Sequence, residues 1–306
     1  MAKFRQNHTK ATQGGSRGGG LFYGKLVMFT VVLVVLAIGG TKMLSGITLD
    51  DFGGDGEGSA VLDKNERYYL PTSTTGNVTH RKYYSLSYNE RHEIPEWVAY
   101  ELTAADLKVK NVKRSKRFLV DESVKGRSAS HGDYINSGYT RGHMAPAGDM
   151  AFDKEAMRET FYMSNIAPQL RVYNNGVWKE LEEQGRDWAY EDQRLYVVTG
   201  PIIDNIKTWI GKSEVGVPKA FYKIFLDMEG SEQKAIAFII PHEKCELHLR
   251  EYAVSIDEVE RLTGIDFFGE LLEDSVEADM ESTFDADDWS FSEKRFRARV
   301  EKWNIQ

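Results

Sequence analysis

The stretch "SGYTRGHMAPAGDM", Ser137 to Met150, sets Arg141 two residues before His143, behind an aromatic residue and ahead of a proline. Histidine has an ordinary pKa of about 6.5, which suits proton transfer near neutrality. A strand-end turn with a solvated arginine and histidine would use the same residues. Further on, Asn174, Trp178, Glu182 and Arg186 recur at a spacing of four. Successive members of such a row drift by only about 40° around a helix axis, so the row lies along one face. On its own the row equally describes an amphipathic helix with Trp178 and Leu181 in the core. Glu182 and Arg186 would then be an i,i+4 ion pair worth a few tenths of a kcal/mol.

These residues need elements to hold them. Gly138, Gly142 and Pro146 make the first stretch a poor helix, and it reads as the end of a short strand running into a loop. Loops on a rigid scaffold often carry chemistry. Strands are expected at Tyr83–Glu90, Trp97–Thr103, Arg194–Ile203, Ala220–Asp227 and Lys234–Pro241, the last two as neighbours. Helices are expected over Lys154–Asn165 and Val177–Glu191. A third runs from Ser255, with Ser255 and Glu258 as a capping box and Gly264 closing it. The sum is an α+β domain with a central, mostly antiparallel sheet flanked by helices.

Taken together, "YTRGHMAPAGDM", "FYMSNIAPQL" and "NNGVWKELEEQGRDW" resemble the DNA/RNA non-specific endonucleases, the ββα-metal nucleases that include secreted bacterial nucleases and endonuclease G. That family is marked by Asp-Arg-Gly-His, then Ser-Asn-x-x-Pro-Gln, then Asn-x-x-x-Trp-x-x-Leu-Glu with an arginine four residues later. The second and third motifs are complete here, from Ser164 to Gln169 and from Asn174 to Arg186, whereas Thr140 stands where the family usually has Asp. The similarity extends from about Tyr83 to Phe268. It implies a ββα-metal fold and hydrolysis of phosphodiesters in DNA and RNA with little sequence preference. His143 would be the general base. Asn174 would be the one direct protein ligand of a Mg²⁺ or Mn²⁺ ion, Glu182 would hold a water of the ion's shell, and Arg141 and Arg186 would pair with phosphate. Asn165 is expected to contact substrate. The basic run Val112–Phe118, with Arg114, is expected either as a phosphate-contacting strand or as a solvated edge. A strict helix would separate Asn174 from Glu182 by about 12 Å along its axis. Asn174 is therefore expected in an irregular turn, which Asn175 and Gly176 permit. His80, His92, His242 and His248 read as surface or structural residues.

Charge is uneven along the 306 residues, whose net charge is −8. Residues 1–49 carry six basic residues and no acid, which leaves −14 on the remainder. An acidic body argues against a broad basic face gripping nucleic acid, so a local cleft and the ion must carry binding. Cys245 is the only cysteine, which excludes an internal disulfide and a thiolate zinc cluster. Sixteen uncharged residues, Leu26 to Thr41, lie between Lys25 and Lys42. They cover roughly 24 Å as a helix. The expected organisation is a basic cytoplasmic leader over 1–25, a transmembrane signal-anchor or a cleaved signal peptide over 26–44, an acidic Gly-rich linker over 45–66, and a nuclease domain over 67–306. The basic leader predicts a nuclease domain facing away from the cytoplasm, tethered to the membrane, or secreted if the segment is cleaved. A homodimer is compatible with this chain. The alternatives are a non-catalytic nucleic-acid-binding surface protein and a phosphodiesterase of small nucleotides.

Overall fold

The computed structural model describes residues 69–304, apart from 230–232 and 270–273. Aromatic and β-branched runs form β1 (Val78–His80), β2 (Ser85–Asn89), β3 (Ile94–Thr103), β4 (Thr140–His143), β5 (Ile166–Gln169) and β6 (Arg194–Pro201). They are followed by β7 (Trp209–Ile210), β8 (Val215–Gly216), β9 (Ala220–Asp227), β10 (Lys234–Pro241) and β11 (Ala253–Val254). One seven-stranded sheet has the order β1-β2-β3-β6-β9-β10-β11 and is antiparallel at every pairing. β4 pairs with β5, and β7 with β8, as separate antiparallel ribbons.

Both faces of the sheet are buried, because alternate side chains of each strand point to opposite sides and both sets are apolar. On the first face Val98, Tyr100, Val197, Phe221 and Phe225 pack with Trp178, Leu181 and Trp188. On the second, Trp97, Val198, Tyr222 and Ile224 pack with Ile256, Val259 and Phe267. Lys223 shares the first face with Phe221 and Phe225 and is 1% exposed.

Three elements differ from expectation. The Lys154–Glu159 helix stops early, although Asp153 caps its start by accepting from the N–H groups of Glu155 and Ala156. Beyond it, Leu119 N–H donates to Phe161 at 3.0 Å and Met163 N–H donates to Leu119 at 2.8 Å, and this cross-chain pairing replaces further helix. The basic run before Leu119 consequently has no ladder of its own, and Leu119 makes only a single bridge to Tyr162. In the Ile256–Thr263 helix the Ser255 hydroxyl accepts from Glu258 N–H at 3.3 Å and Gly264 closes the end at φ +69°. The Glu258 carboxylate grips Arg261 at 2.7 Å, so the reciprocal half of the capping box is not made.

The long helix, Lys179–Asp192, lies on the first face of the sheet. A short turn, Arg171–Tyr173, leads into a widened turn, Asn174–Trp178, broken at Gly176 with φ −102° and ψ −109°. This is the irregular approach expected for Asn174. The chain ends by folding back over the long helix: Trp188 Nε1 donates to Ser290 O at 2.6 Å, and Arg299, fully buried, pairs with Glu180. The leader, the proposed span over 26–44 and the linker lie outside the described residues. Among the described residues no helix is long and apolar enough to cross a membrane.

Candidate active site

β4 ends at His143, and its register against β5 pairs Thr140 with Gln169 and His143 with Ile166. Gly142 has no room for a side chain, because the Gln169 side chain lies directly over it. The loop after His143 is clamped by Asn165. Its Oδ1 accepts from Ala145 N–H at 2.9 Å, and its amide donates to Ala145 O at 3.0 Å and Thr160 O at 2.9 Å. Asn165 is 0% exposed with both ends of its amide committed to backbone. The expectation that it contacts substrate is corrected: it shapes the loop, since a buried amide must spend its hydrogen bonds internally.

His143 is 7% exposed, with Phe161 edge-on at 4.8 Å and Phe118 at 5.6 Å between ring centres. Burial, helped by the charge of Arg114, lowers its pKa to about 3, so the ring is neutral at pH 7. Its Nε2 is buried without a hydrogen-bond partner among the described residues. Its backbone oxygen accepts from Trp178 Nε1 at 3.3 Å, which ties β4 to the start of the long helix. A neutral imidazole with an open nitrogen can accept a proton.

The Asn174 amide donates to the Thr140 hydroxyl at 2.9 Å, and that hydroxyl donates to Gln169 O at 2.9 Å. With the nitrogen end so used, Oδ1 of Asn174 remains as an oxygen donor of the kind Mg²⁺ prefers. Glu182, in the first turn of the long helix, has no hydrogen bond or ion pair among the described residues. Burial raises its pKa, while the charges of Lys223 and Arg186 oppose that rise. Arg186 donates to Asp149 at 2.7 Å, and Asp149 also accepts from the Tyr100 hydroxyl at 2.8 Å. Arg141 lies over Phe118 at 5.3 Å and Tyr134 at 5.6 Å, with Nη2 3.4 Å from His131 Nε2. Arg114 lies over Phe161 at 5.3 Å and acts on both His143 and Glu182.

Sequence reasoning passed over Lys223, Asp149 and His131. Lys223 was the single charge inside the apolar run of β9, and that interruption was its signal. Its Nζ reaches Met144 O at 3.5 Å and lies 5.0 Å from the centre of the Trp178 ring, and burial lowers its pKa. A grouping of Asp257, Glu260 and Glu281 brings ligand atoms within 4.8 Å of one another, but Asp257 and Glu260 belong to the helix on the second face of the sheet. His242 is structural as expected, with Nε2 accepting from Leu170 N–H at 2.7 Å.

A family model described as DNA/RNA non-specific endonuclease matches residues 63–274. The chain belongs to the DNA/RNA non-specific endonuclease family. As a member of that family it is a nuclease. The protein "Nuclease EXOG, mitochondrial" of Danio rerio is 35% identical over 247 residues, 70% of this chain and 72% of that protein. "Endonuclease G, mitochondrial" of Homo sapiens is 32% identical over 220 residues, 67% of this chain and 73% of that protein. A solved EndoG/EndoGI complex matches with a TM-score of 0.59 and 32% identity, over 64% of this chain and 86% of that one. In the EXOG proteins of Xenopus laevis, Mus musculus and Homo sapiens the match spans 63%, 60% and 63% of their length. The EXOG and endonuclease G relatives are mitochondrial by name, and this overturns the expected extracytoplasmic, membrane-anchored or secreted placement. The error has a physical source: a basic, acid-free leader is a feature that membrane anchors share with organelle-targeting segments.

Proposed function

We propose that this nuclease cleaves DNA and RNA with a single divalent ion, Mg²⁺ or Mn²⁺, and with His143 as the general base. The supporting observation is the buried, unpartnered Nε2 of a histidine held neutral, beside an asparagine whose amide nitrogen is already committed. Asn174 Oδ1 would hold the ion, which when bound neutralises charge on the phosphate and on the departing alkoxide. His143 Nε2 takes a proton from the attacking water. Glu182, which makes no hydrogen bond or ion pair among the described residues, orients water beside Asn174. Arg141 and Arg114 face phosphate from their aromatic seats, and Arg186, braced by Asp149, adds a second fixed charge near Glu182. Because these contacts read phosphate rather than base edges, sequence preference is weak. The two strands β4 and β5 with the long helix form the ββα unit of this reading, within a nuclease domain over 67–306 that follows a linker over 45–66. A homodimer belongs to the same reading and is checked by sedimentation.

The test is incubation of the purified protein with supercoiled plasmid and with RNA, in Mg²⁺ or chelator. His143→Ala should lower turnover by on the order of 10²–10⁴. Asn174→Ala should raise the Mg²⁺ needed for half-maximal rate, Glu182→Gln should be milder, and Arg186→Ala should weaken substrate binding without changing metal demand. Cleavage by the wild type in chelator would remove the ion from the mechanism.

A further inference from the structure

Beside the catalytic residues runs a groove of about 960 Å³, at the upper end of the 300–1,000 Å³ usual for ligand sites. It adjoins the site through one turn of the chain. His131, whose ring nitrogen and carbonyl lie 3.4 and 3.5 Å from Arg141 Nη2, begins the turn His131–Tyr134, and the next two residues of that turn line the groove. On its rim stand Ile135 and Trp209, 58% and 47% exposed. Apolar side chains of this size, exposed at one mouth, call for a ligand with flat apolar surface. Trp209 is held from one side by the His92 ring, nearly parallel at 19° and 6.4 Å between centres, which sets the indole in place as a platform.

The charges of the groove complete the picture. Asp133 accepts from the backbone and hydroxyl of both Ser130 and Ser213, so its carboxylate is used up in holding two walls together. Glu93 accepts the Tyr88 hydroxyl at 2.9 Å, and burial raises its pKa. Lys212 has no ion pair among the described residues, and Arg127 has only an exposed partner, Glu122, at 3.9 Å. Two cations therefore remain available beside an exposed indole.

We propose that this groove binds an unpaired stretch of the nucleic-acid substrate flanking the scissile phosphate, with a base stacked on Trp209 and phosphates on Lys212 and Arg127. A duplex cannot use such a platform, because its bases are stacked on each other and their faces are covered. Single strands bind through this combination of aromatic faces and a basic track. The proposal rests on the nuclease reading of the adjacent site and adds a preference for single-stranded segments over blunt duplex.

The test measures binding by fluorescence anisotropy in chelator, so that nothing is cleaved, using a blunt duplex and the same duplex extended by unpaired nucleotides on either end. Wild type should bind one extended form more tightly than the blunt form. Trp209→Ala should erase roughly a tenfold part of that gain, Trp209→Phe should retain it, and Lys212→Glu should reduce it in a salt-dependent way. An equal gain in wild type and Trp209→Ala overturns the proposal, as does a shift in sedimentation on Trp209→Ala, which would assign the face to a second copy of the chain. Failure of the wild type to cleave any nucleic acid in Mg²⁺ would instead strike the nuclease reading itself.

Discussion

The Asn174 amide and the Thr140 hydroxyl are joined at 2.9 Å, across two elements that are 34 residues apart in the chain. Thr140 occupies the family's aspartate position. Its hydroxyl supplies one acceptor to Asn174 and spends its proton on Gln169 O, so the asparagine's orientation is set without a carboxylate. Thr140→Val keeps the shape and removes the acceptor. It should raise the Mg²⁺ or Mn²⁺ concentration needed for half-maximal cleavage and weaken ion binding in calorimetry, while Thr140→Ser stays near wild type. Unchanged ion affinity in Thr140→Val would show that Asn174 is oriented by something else.

His143 is neutral in the fold at a pH where the unfolded chain would take up a proton. Its pKa is about 3 when folded and 6.5 ordinarily. Between those values the unfolded state binds more protons, so the contribution to stability is complete above about pH 6.5 and declines as pH falls toward 3. The decline is at most about 1.4 kcal/mol per pH unit. His143→Gln removes this titration. Urea unfolding at pH 7 and pH 4.5 should show the wild type losing roughly 2 kcal/mol more than the variant over that interval. Equal losses would mean that the ring keeps an ordinary pKa in the folded protein.

Lys223 and Glu182 both lie on the first side of the sheet, and each acts on the other through its charge. In Lys223→Met the Glu182 carboxyl loses its main opposing cation and moves further up, so the folded state holds a proton that the unfolded state releases. The destabilisation should therefore grow as pH rises from 6 to 8. Adding Glu182→Gln should cancel that pH dependence. Thermal unfolding of the four proteins at two pH values reads the coupling, which for residues in one network is typically about 0.5–3 kcal/mol. Additive effects would leave the pair energetically independent.

β9 and β10 could be placed to the residue from the sequence, because each is a largely apolar run bounded by a charge or a proline. The break at Asn174 was also readable, from the reach a straight helix lacks. What could not be read is contact between distant segments. Asn165 was expected to contact substrate from its motif, yet its three backbone hydrogen bonds are invisible without the fold. The burial of Lys223 likewise depends on β3, β6 and the long helix closing over it, which no local pattern shows. The early end of the Lys154–Glu159 helix has the same cause, since Leu119 competes for its backbone from far upstream.

The last element to bear on the site lies beyond the matched family region, which ends at residue 274. Arg299, buried against Glu180 of the long helix and the carbonyls of Cys245 and Leu247, fixes the final turn of the chain. Asn304 then donates to Cys245 O at 2.9 Å and lays its Oδ1 against Gly176, where an added Cβ would meet it at 2.5 Å. Gly176 is the break that lets Asn174 leave the helix line, so the chain's end packs directly on the turn carrying the proposed ligand. Gly176→Ala should therefore be destabilising and should raise the metal requirement, because either the turn or Asn304 must move. Combining it with Asn304→Gly frees the space and should recover most of the stability. Arg299→Met should cost about 3–5 kcal/mol by stranding Glu180. Denaturant melts and magnesium titrations of these variants separate the effects. If Gly176→Ala raises the metal requirement equally with and without Asn304, the backbone of the turn itself sets the geometry, and the chain's end contributes stability alone.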